Sequence, residues 1–566
     1  MIDVANLTVD TELEIDFAYR HPYYQEMYAN WVKNRDFASG SDHIKARTFS
    51  ELYIFKDDSN FAGGLQSIDE LEGTAYLPVP DQMRQDPKLY RDYRDRAQVY
   101  NASGMTVESY MGMLYRKNPI YQYESADADL EDEIKDKTLR KVTPDNKSFT
   151  DLCKIISREV IITNKVGILV DFPDTMSDRE LSVLEYEELN LTPKASVYRA
   201  EKIINWHYTN VNDEVVPDYF VLDESDYGWN EEKACYEWIE KYRVLFLEDT
   251  NNDYIYHQMV VKKIDDKAKQ NRKAKFVVEE FITPEKEGVV LNRLPFYVID
   301  KDGLNFAKTE ESIINDLVDV NMGHYRNSAD WEHNLYFLGL KTLVAPGYDK
   351  DISGTLTVGG VISGPSTFQP YLIEPTSDSG IEKEMQNKEM RMAVLGSQAI
   401  SQRGKYVQSA ATAKINSASE NSILAALAHA QSNVMSVILN LILEWAGHTG
   451  VKGNVNINTD FYDDLIVPES VISWTQLLQS GGISQETWYY NLEKRDVFPP
   501  DWSMAKELTS IEENHAPLMD DLLYRNTPLN KPTNDLSDID LGNRKFEGRP
   551  DEDDTSDKED TQQYGL

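Results

Sequence analysis

At 566 residues the chain is long enough for three or four structural units, and its 41% apolar and 27% charged composition is that of folded protein rather than of a disordered polymer. The net charge of −39, from 58 basic and 97 acidic residues, excludes a protein that grips nucleic acid by releasing counterions. Two cysteines, Cys153 and Cys235, with no C-x-x-C, exclude a disulfide-built secreted module and predict a reducing compartment; the acidic opening MIDVANLTVDTELEID predicts no signal peptide.

The first 150 residues read as aromatic-rich helices. Tyr24, Met27, Tyr28 and Trp31 fall at helical spacing within Tyr23 to Phe37, and residues 84–118 read as a helical pair. The acidic run Ala126 to Lys137 is expected to be a solvated loop. From Glu159 the pattern turns to β, with VIITNKVGILVDFP as β-branched runs around a turn. The segments IINWHYT, DYFVLDES, YRVLFLED, YIYHQMVVKK and KFVVEEF follow at hairpin spacing. They predict a meandering antiparallel layer closed by LPFYVID at 294–300.

Helical periodicity returns at Ser312 and runs through Ile314, Leu317, Val320, Tyr325 and Trp331 to about Phe337. Glycine, proline and β-branched residues between Val344 and Gly380 predict a small β-rich excursion, and a second helix spans Ile381 to Leu395. Next comes GSQAISQRGKYVQSAATA, too poor in apolar residues for a core and expected to be an exposed loop. The most regular helix follows, with Ile423, Leu427, Ala430, Val434, Ile438, Leu441 and Trp445 every three or four residues, a packing seam. Its stretch Asn421 to Leu443 lacks formal charge and is long enough to span a bilayer. Interrupting Ser432, Ser436 and Asn440 would need partners there, so a buried soluble helix and no membrane contact are predicted. Val471 to Tyr490 and Met504 to Leu523 are further helical segments. The polar, acidic stretch from about Asn526 is predicted to be a disordered tail.

No catalytic motif stands out. A phosphate loop is missing, no H-E-x-x-H occurs, and His324 and His333 sit nine apart without an obvious third ligand, so no cofactor and no metal are predicted. Pro217-Asp218 with Glu231-x-Lys233 has a nuclease-like pattern, because paired carboxylates and a lysine can hold a metal and activate water. Pro80-Asp81 with Asp86-x-Lys88 repeats the pattern, as chance predicts in so acidic a chain. No catalytic residue is assigned.

The order of helix, β excursion, helix, small-polar loop and long apolar helix resembles the stem, clip, stem, tunnel loop and wing spine of tailed-bacteriophage portal proteins. Segments such as HPYYQEMYANWVKNRDFASGSDHIK, YRDYRDRAQVYNAS, YMGMLYRKNP, LNFAKTEESIINDLVDVNMGHYRNSADWEHNLYFLG and MAVLGSQAIS look like a portal family formerly catalogued as a domain of unknown function. SWTQLLQSGGISQETWYYNLEKRDVFPPDWS is similar to the helix-turn-helix near the C-terminal end of many portals. Together these cover most of residues 17–525, and 125–147 and the acidic tail depart from the pattern.

The resemblance implies an α+β portal fold. Its parts would be a mixed wing (1–303), a first stem helix (304–338), a β-containing clip (339–380) and a second stem helix (381–396). A tunnel loop (397–412), a wing spine helix and return strand (413–465), crown helices (466–525) and the acidic tail (526–566) would follow. It also implies a non-enzymatic homo-oligomer, a dodecameric ring at one capsid vertex of the virion, assembled in the host cytoplasm. Large terminase, a head-tail adaptor, and capsid and scaffold proteins would be partners, and double-stranded DNA would pass without sequence-specific binding. Ser397, Gln398, Ser401, Gln402, Arg403 and Lys405 would face the channel, with Ile423, Leu427, Val434, Ile438, Leu441 and Trp445 forming the packing helix. Two other classes stay open: another virion structural or head-completion protein, and a metal-dependent phage nuclease.

Overall fold

The computed structural model describes residues 4, 7–55, 70–125, 128–172, 192–211, 214–231, 233–250, 253–264, 275–286, 289–305, 310–339, 342–346, 361–364, 371–373, 379–396, 410–448, 450–459, 461, 468–493, 507 and 509–510. The fold is α+β, and the chain divides into a large unit, Met1–Tyr462, and a smaller one, Asp463–Leu566.

The large unit opens with a short strand, β1 (Glu12–Leu13), and the helix α1 (Pro22–Ser39). Pro22 suits the first turn, where its missing N–H costs no hydrogen bond, and His21 Nδ1 accepts from Tyr23 N at 3.2 Å. Gly40, at φ 105°, ends the helix. Helices α2 (Ser41–Ala46), α3 (Phe49–Leu52), α4 (Pro87–Arg96) and α5 (Ala102–Leu114) pack around it, followed by strand β2 (Ile120–Glu124). α1 is a shared wall: Tyr24, Met27 and Trp31 enter a core facing the sheet, while Val32, Phe37 and Ala38 enter a core among the helices.

Two readings of the next segment are corrected. The acidic run is not a solvated loop: it forms helix α6 (Ala128–Glu133) and a π-helical turn, Ile134–Thr138. Glu131–Lys135 and Glu133–Lys137 pairs at one-turn spacing support it, and fully buried Ile134 anchors it. VIIT is not a strand either, for Val160 to Thr163 are the last turn of helix α7 (Phe149–Thr163). A capping box, Ser148 with Asp151, starts α7, and burial of Leu152, Ile156 and Val160 on one face outweighs the strand preference of its β-branched end. Asn164, in the left-handed region at φ 56°, stops the helix, and its side chain binds Lys301 N and Glu310 O.

Strand β3 (Val166–Asp171) alternates between the two cores, Val166, Ile168 and Val170 facing the helices and Leu169 the sheet. It pairs with β4 (Lys194–Arg199). The main sheet uses β5 (Ile203–Val211) and β6 (Glu214–Asp223), then, after the ribbon β7 (Asp226–Asn230) and β8 (Cys235–Ile239), strands β9 (Lys241–Thr250), β10 (Asp253–Ile264) and β11 (Lys275–Ile282). Its order is β1-β11-β10-β9-β6-β5, antiparallel throughout. Pro217 is tolerated within β6 because a register shift at His207/Tyr208 lies opposite it. A small hairpin, β12 (Glu285–Lys286) and β13 (Val289–Val290), leads to β14 (Phe296–Asp300) and β15 (Gly303–Leu304). LPFYVID therefore does not close the main sheet. Its strand β14 pairs with β3 in a separate four-stranded sheet, a choice made by long-range packing rather than by local pattern.

At the junction of α1 and the main sheet sits Lys165, 3% exposed. Its ammonium lies 3.5 Å from the Trp206 ring centre and 5.4 Å from that of Trp31, and His21 stacks on Trp206 at 4.1 Å. Among the described residues it has no ion-pair partner. Burial pushes this ammonium down to about 7, and burial together with Lys165 holds His21 below the usual imidazole range.

After β15 come helix α8 (Asn315–Gly339), strands β16 (Thr342–Pro346), β17 (Val361–Gly364) and β18 (Tyr371–Ile373), helix α9 (Ser379–Leu395), helix α10 (Ala410–Trp445) and strand β19 (Lys452–Asn456), which pairs with β2. In the smaller unit, α11 (Pro468–Gln479) and α12 (Gln485–Glu493) are joined at Gly481, φ 73°, and Ser484 Oγ caps α12 by accepting from Thr487 N at 3.1 Å. The expected helix Met504 to Leu523 is described only at residues 507, 509 and 510. The acidic tail from 526 lies outside the described residues.

Candidate functional site

α8 begins as a buried helix and ends as a half-buried to exposed one. Ile314, Leu317, Val318, Asn321, His324, Tyr325, Ser328 and Ala329 are buried, whereas none of residues 330–338 is. α9 returns alongside it, and Met392 is buried against Leu317 and Ala102. At about 1.5 Å per residue, the part of α8 beyond Ala329 runs roughly 15 Å past the last buried residue, with Tyr93 and Arg96 of α4 alongside it as far as Tyr336. The described tip of the hairpin is a three-stranded sheet with β16 in the centre, β17 parallel and β18 antiparallel to it.

Polar contacts fix the base of this arm. Lys33 of α1 reaches Asp319 at 2.5 Å, Arg326 Nε donates to Tyr76 O at 2.8 Å, and Tyr93 Oη donates to Asp330 at 2.6 Å. Between the two helices, His324 Nε2 lies 3.3 Å from Glu389 and Lys388 Nζ donates to Gly323 O at 3.3 Å. Arg96 lies over Tyr336, and its guanidinium is 3.2 Å from His333 Nδ1. The two histidines thus serve separate contacts. Burial lowers both below the usual imidazole range, with nearby Arg96 adding to the effect at His333.

The polar residues that interrupt α10 explain how so apolar a helix packs beside a strand. Ser432 Oγ accepts from Ile457 N and Ser436 Oγ from Val455 N, both at 2.9 Å, while each hydroxyl donates back to a carbonyl one turn earlier. Asn440 donates to Gly453 O at 3.0 Å and accepts from Gly453 N at 2.8 Å. Spaced four apart, the three side chains stand in for a strand along the free edge of β19. The close approach of helix and strand leaves little room at Gly453, where a Cβ would lie 2.6 Å from Leu439 Cδ2 and would push that side chain aside. The helix is long and apolar enough to cross a membrane by composition, yet most of that stretch is buried within the chain.

A family model described as "Domain of unknown function (DUF4055)" matches residues 314–446. No curated protein matches the chain. The matched region begins with α8 and ends with α10, so it covers the projecting hairpin, its tip and the long helix.

Within that region, Leu427, Val434, Ile438 and Leu441 lie in the helical core and Trp445 packs at its margin, whereas Ile423 is 56% exposed. Ser397, Gln398, Ser401, Gln402, Arg403 and Lys405 lie outside the described residues. The nuclease-like residues take separate structural parts. Asp218 meets His207 at 2.8 Å, Glu231 is exposed at the turn of the β7–β8 ribbon, and Lys233 pairs with Glu237 at 2.6 Å. In the second pattern Asp81 pairs with Arg84 and Asp86 caps α4. Among the described residues no group of three or more His, Cys, Asp or Glu is placed to hold a metal ion. Both cysteines are free.

Sequence reasoning missed three features: the serine and asparagine row as a strand-edge partner, the buried Lys165, and the ribbon β7–β8. Strict alternation of Tyr227 and Trp229, then Tyr236 and Trp238, with polar residues was the available signal for the ribbon.

Proposed function

We propose that the chain is a portal subunit of a tailed bacteriophage, a non-enzymatic protein whose copies close into a ring through which double-stranded DNA enters and leaves the head. The observation that carries this reading is the arm of α8 and α9, which leaves the core with its outer half unburied, bears a small sheet at its tip and returns into the long helix α10. In this reading the arm is the stem, the sheet the clip and α10 the wing spine; because α10 begins at Ala410, the tunnel loop expected at 397–412 shortens to 397–409. Unburied stem surfaces are then the surfaces that neighbouring copies cover.

The electrostatics support the same reading. A chain of net charge −39 repels phosphate, so DNA inside such a ring slides rather than binds, and counterion release supplies little affinity. Arg403 and Lys405, two cations within the small-polar segment, would meet phosphates transiently. Terminase would dock on the ring during packaging and head-completion proteins afterwards. Antibody labelling of intact phage heads tests the assignment: label at a single vertex per head supports it, and label spread over the shell or confined to the tail overturns it.

A further inference from the structure

The ribbon β7–β8 presents four aromatic side chains on one face. Tyr227 lies opposite Trp238 and Trp229 opposite Tyr236, each pair edge-to-face with ring centres 5.1 Å apart. Each ring is nevertheless 54% to 67% exposed. The other face is more polar and only partly covered: Ile239 lies over Gly228, Asn230 Nδ2 donates to Glu237 at 2.8 Å, and these residues line a shallow cleft with Glu240, Lys262 and Lys263. Cross-strand pairing explains how a two-stranded ribbon holds its shape, but it leaves an apolar patch of roughly 500 Å² in water, the size at which a surface patch marks a contact site.

The same unit carries a cleft of about 450 Å³, with Val289, Val290, Pro295, Leu441 and Trp445 on its apolar side and Asn292 and Glu444 on its polar side. Arg293 stands at its rim, 3.9 Å from Glu444. The ribbon leaves the main sheet where Lys263 N donates to Glu240 O, whereas the cleft hairpin is tied on where Tyr256 N donates to Leu291 O. These points lie seven residues apart on β10, roughly 20 Å along the strand. Knob and hole thus sit toward opposite ends of one sheet.

We infer that the aromatic face of the ribbon docks in the Val289–Trp445 cleft of a second copy of this chain. This rests on the ring-forming reading and names one of its contacts. A knob and a hole displaced along the subunit make a head-to-tail contact, the kind that closes into a ring when its rotation allows. The aromatic face carries no charge, which suits association between copies that are all strongly acidic. The patch supplies more than half of the roughly 800 Å² per partner that a standard interface buries, leaving the rest to the stem helices.

Cysteine cross-linking of the full-length chain tests this. In a Cys235→Ser background, Trp229→Cys combined with Val289→Cys should give a ladder of covalent oligomers under mild oxidation, while neither cysteine alone should. Val289→Lys, at a 67% exposed position, should raise the protein concentration needed for half-assembly at least tenfold with an unchanged circular-dichroism spectrum. Rings that form without the paired cross-link, or that cross-link through Trp229→Cys alone, overturn the ribbon contact and leave the portal reading standing. A parent chain that stays monomeric overturns both.

Discussion

Replacing Lys165 by methionine removes a charge that burial penalises while keeping a side chain of similar length against Trp206 and Trp31. An unfolded lysine titrates near 10.4, and the folded value of about 7 corresponds to a penalty of roughly 4–5 kcal/mol for the charged form. The two indole faces return up to about 2 kcal/mol, which leaves a net cost of roughly 2–4 kcal/mol at and below pH 7. Between pH 7 and 10 the native chain holds fewer protons at this site than the unfolded chain. Wild-type stability therefore gains from this group as pH rises, by up to about 1.4 kcal/mol per unit. His21 is already neutral across that window, since its own shift is downward. Urea unfolding of both proteins at pH 6.5, 8 and 9.5, followed by tryptophan fluorescence, isolates the term as a difference in which the other groups cancel. The Lys165→Met variant should be more stable at pH 6.5, with the advantage shrinking toward pH 9.5. A variant that is less stable at pH 6.5, or a difference independent of pH, would refute the reasoning.

Asn440→Leu should lower stability by roughly 2–4 kcal/mol, because it strips partners from both backbone groups of Gly453, whereas Asn433→Leu on the exposed face of the same helix should change it by less than about 0.5 kcal/mol; thermal unfolding compares them. Arg403→Ala with Lys405→Ala should leave assembly intact and reduce the DNA packaged or retained in assembled particles, measured as DNA per head, and normal packaging would remove residues 397–409 from the channel.

The helices were the most legible part of the fold. Continuous 3.6-residue periodicity marked α1, α8 and α10; the spaced positions are buried in α1, in the first half of α8 and in the middle of α10, whereas Leu335 and Ile423 on the same stripes are exposed. Elements whose neighbours are distant in sequence were less legible. LPFYVID reads as a strand, but nothing local says that its partner is β3, more than 120 residues earlier. Val160 to Thr163 look like a strand because they are β-branched, and only the capping box at Ser148 and the buried face of α7 reveal a helix. Ser432, Ser436 and Asn440 looked like interruptions of an apolar stripe until β19 was placed beside them. At the candidate site, the order of arm, tip and long helix could be read from the sequence, while the chemistry of 397–405 rests on the sequence alone.

The most direct test of the central claim is an image of the purified full-length protein. Negative-stain class averages should show closed rings with a central hole, and the ring fraction should rise from 50 mM to 500 mM salt, roughly, as screening relieves the repulsion between acidic subunits. Monomers alone at high protein concentration, across that whole range of salt, would contradict it.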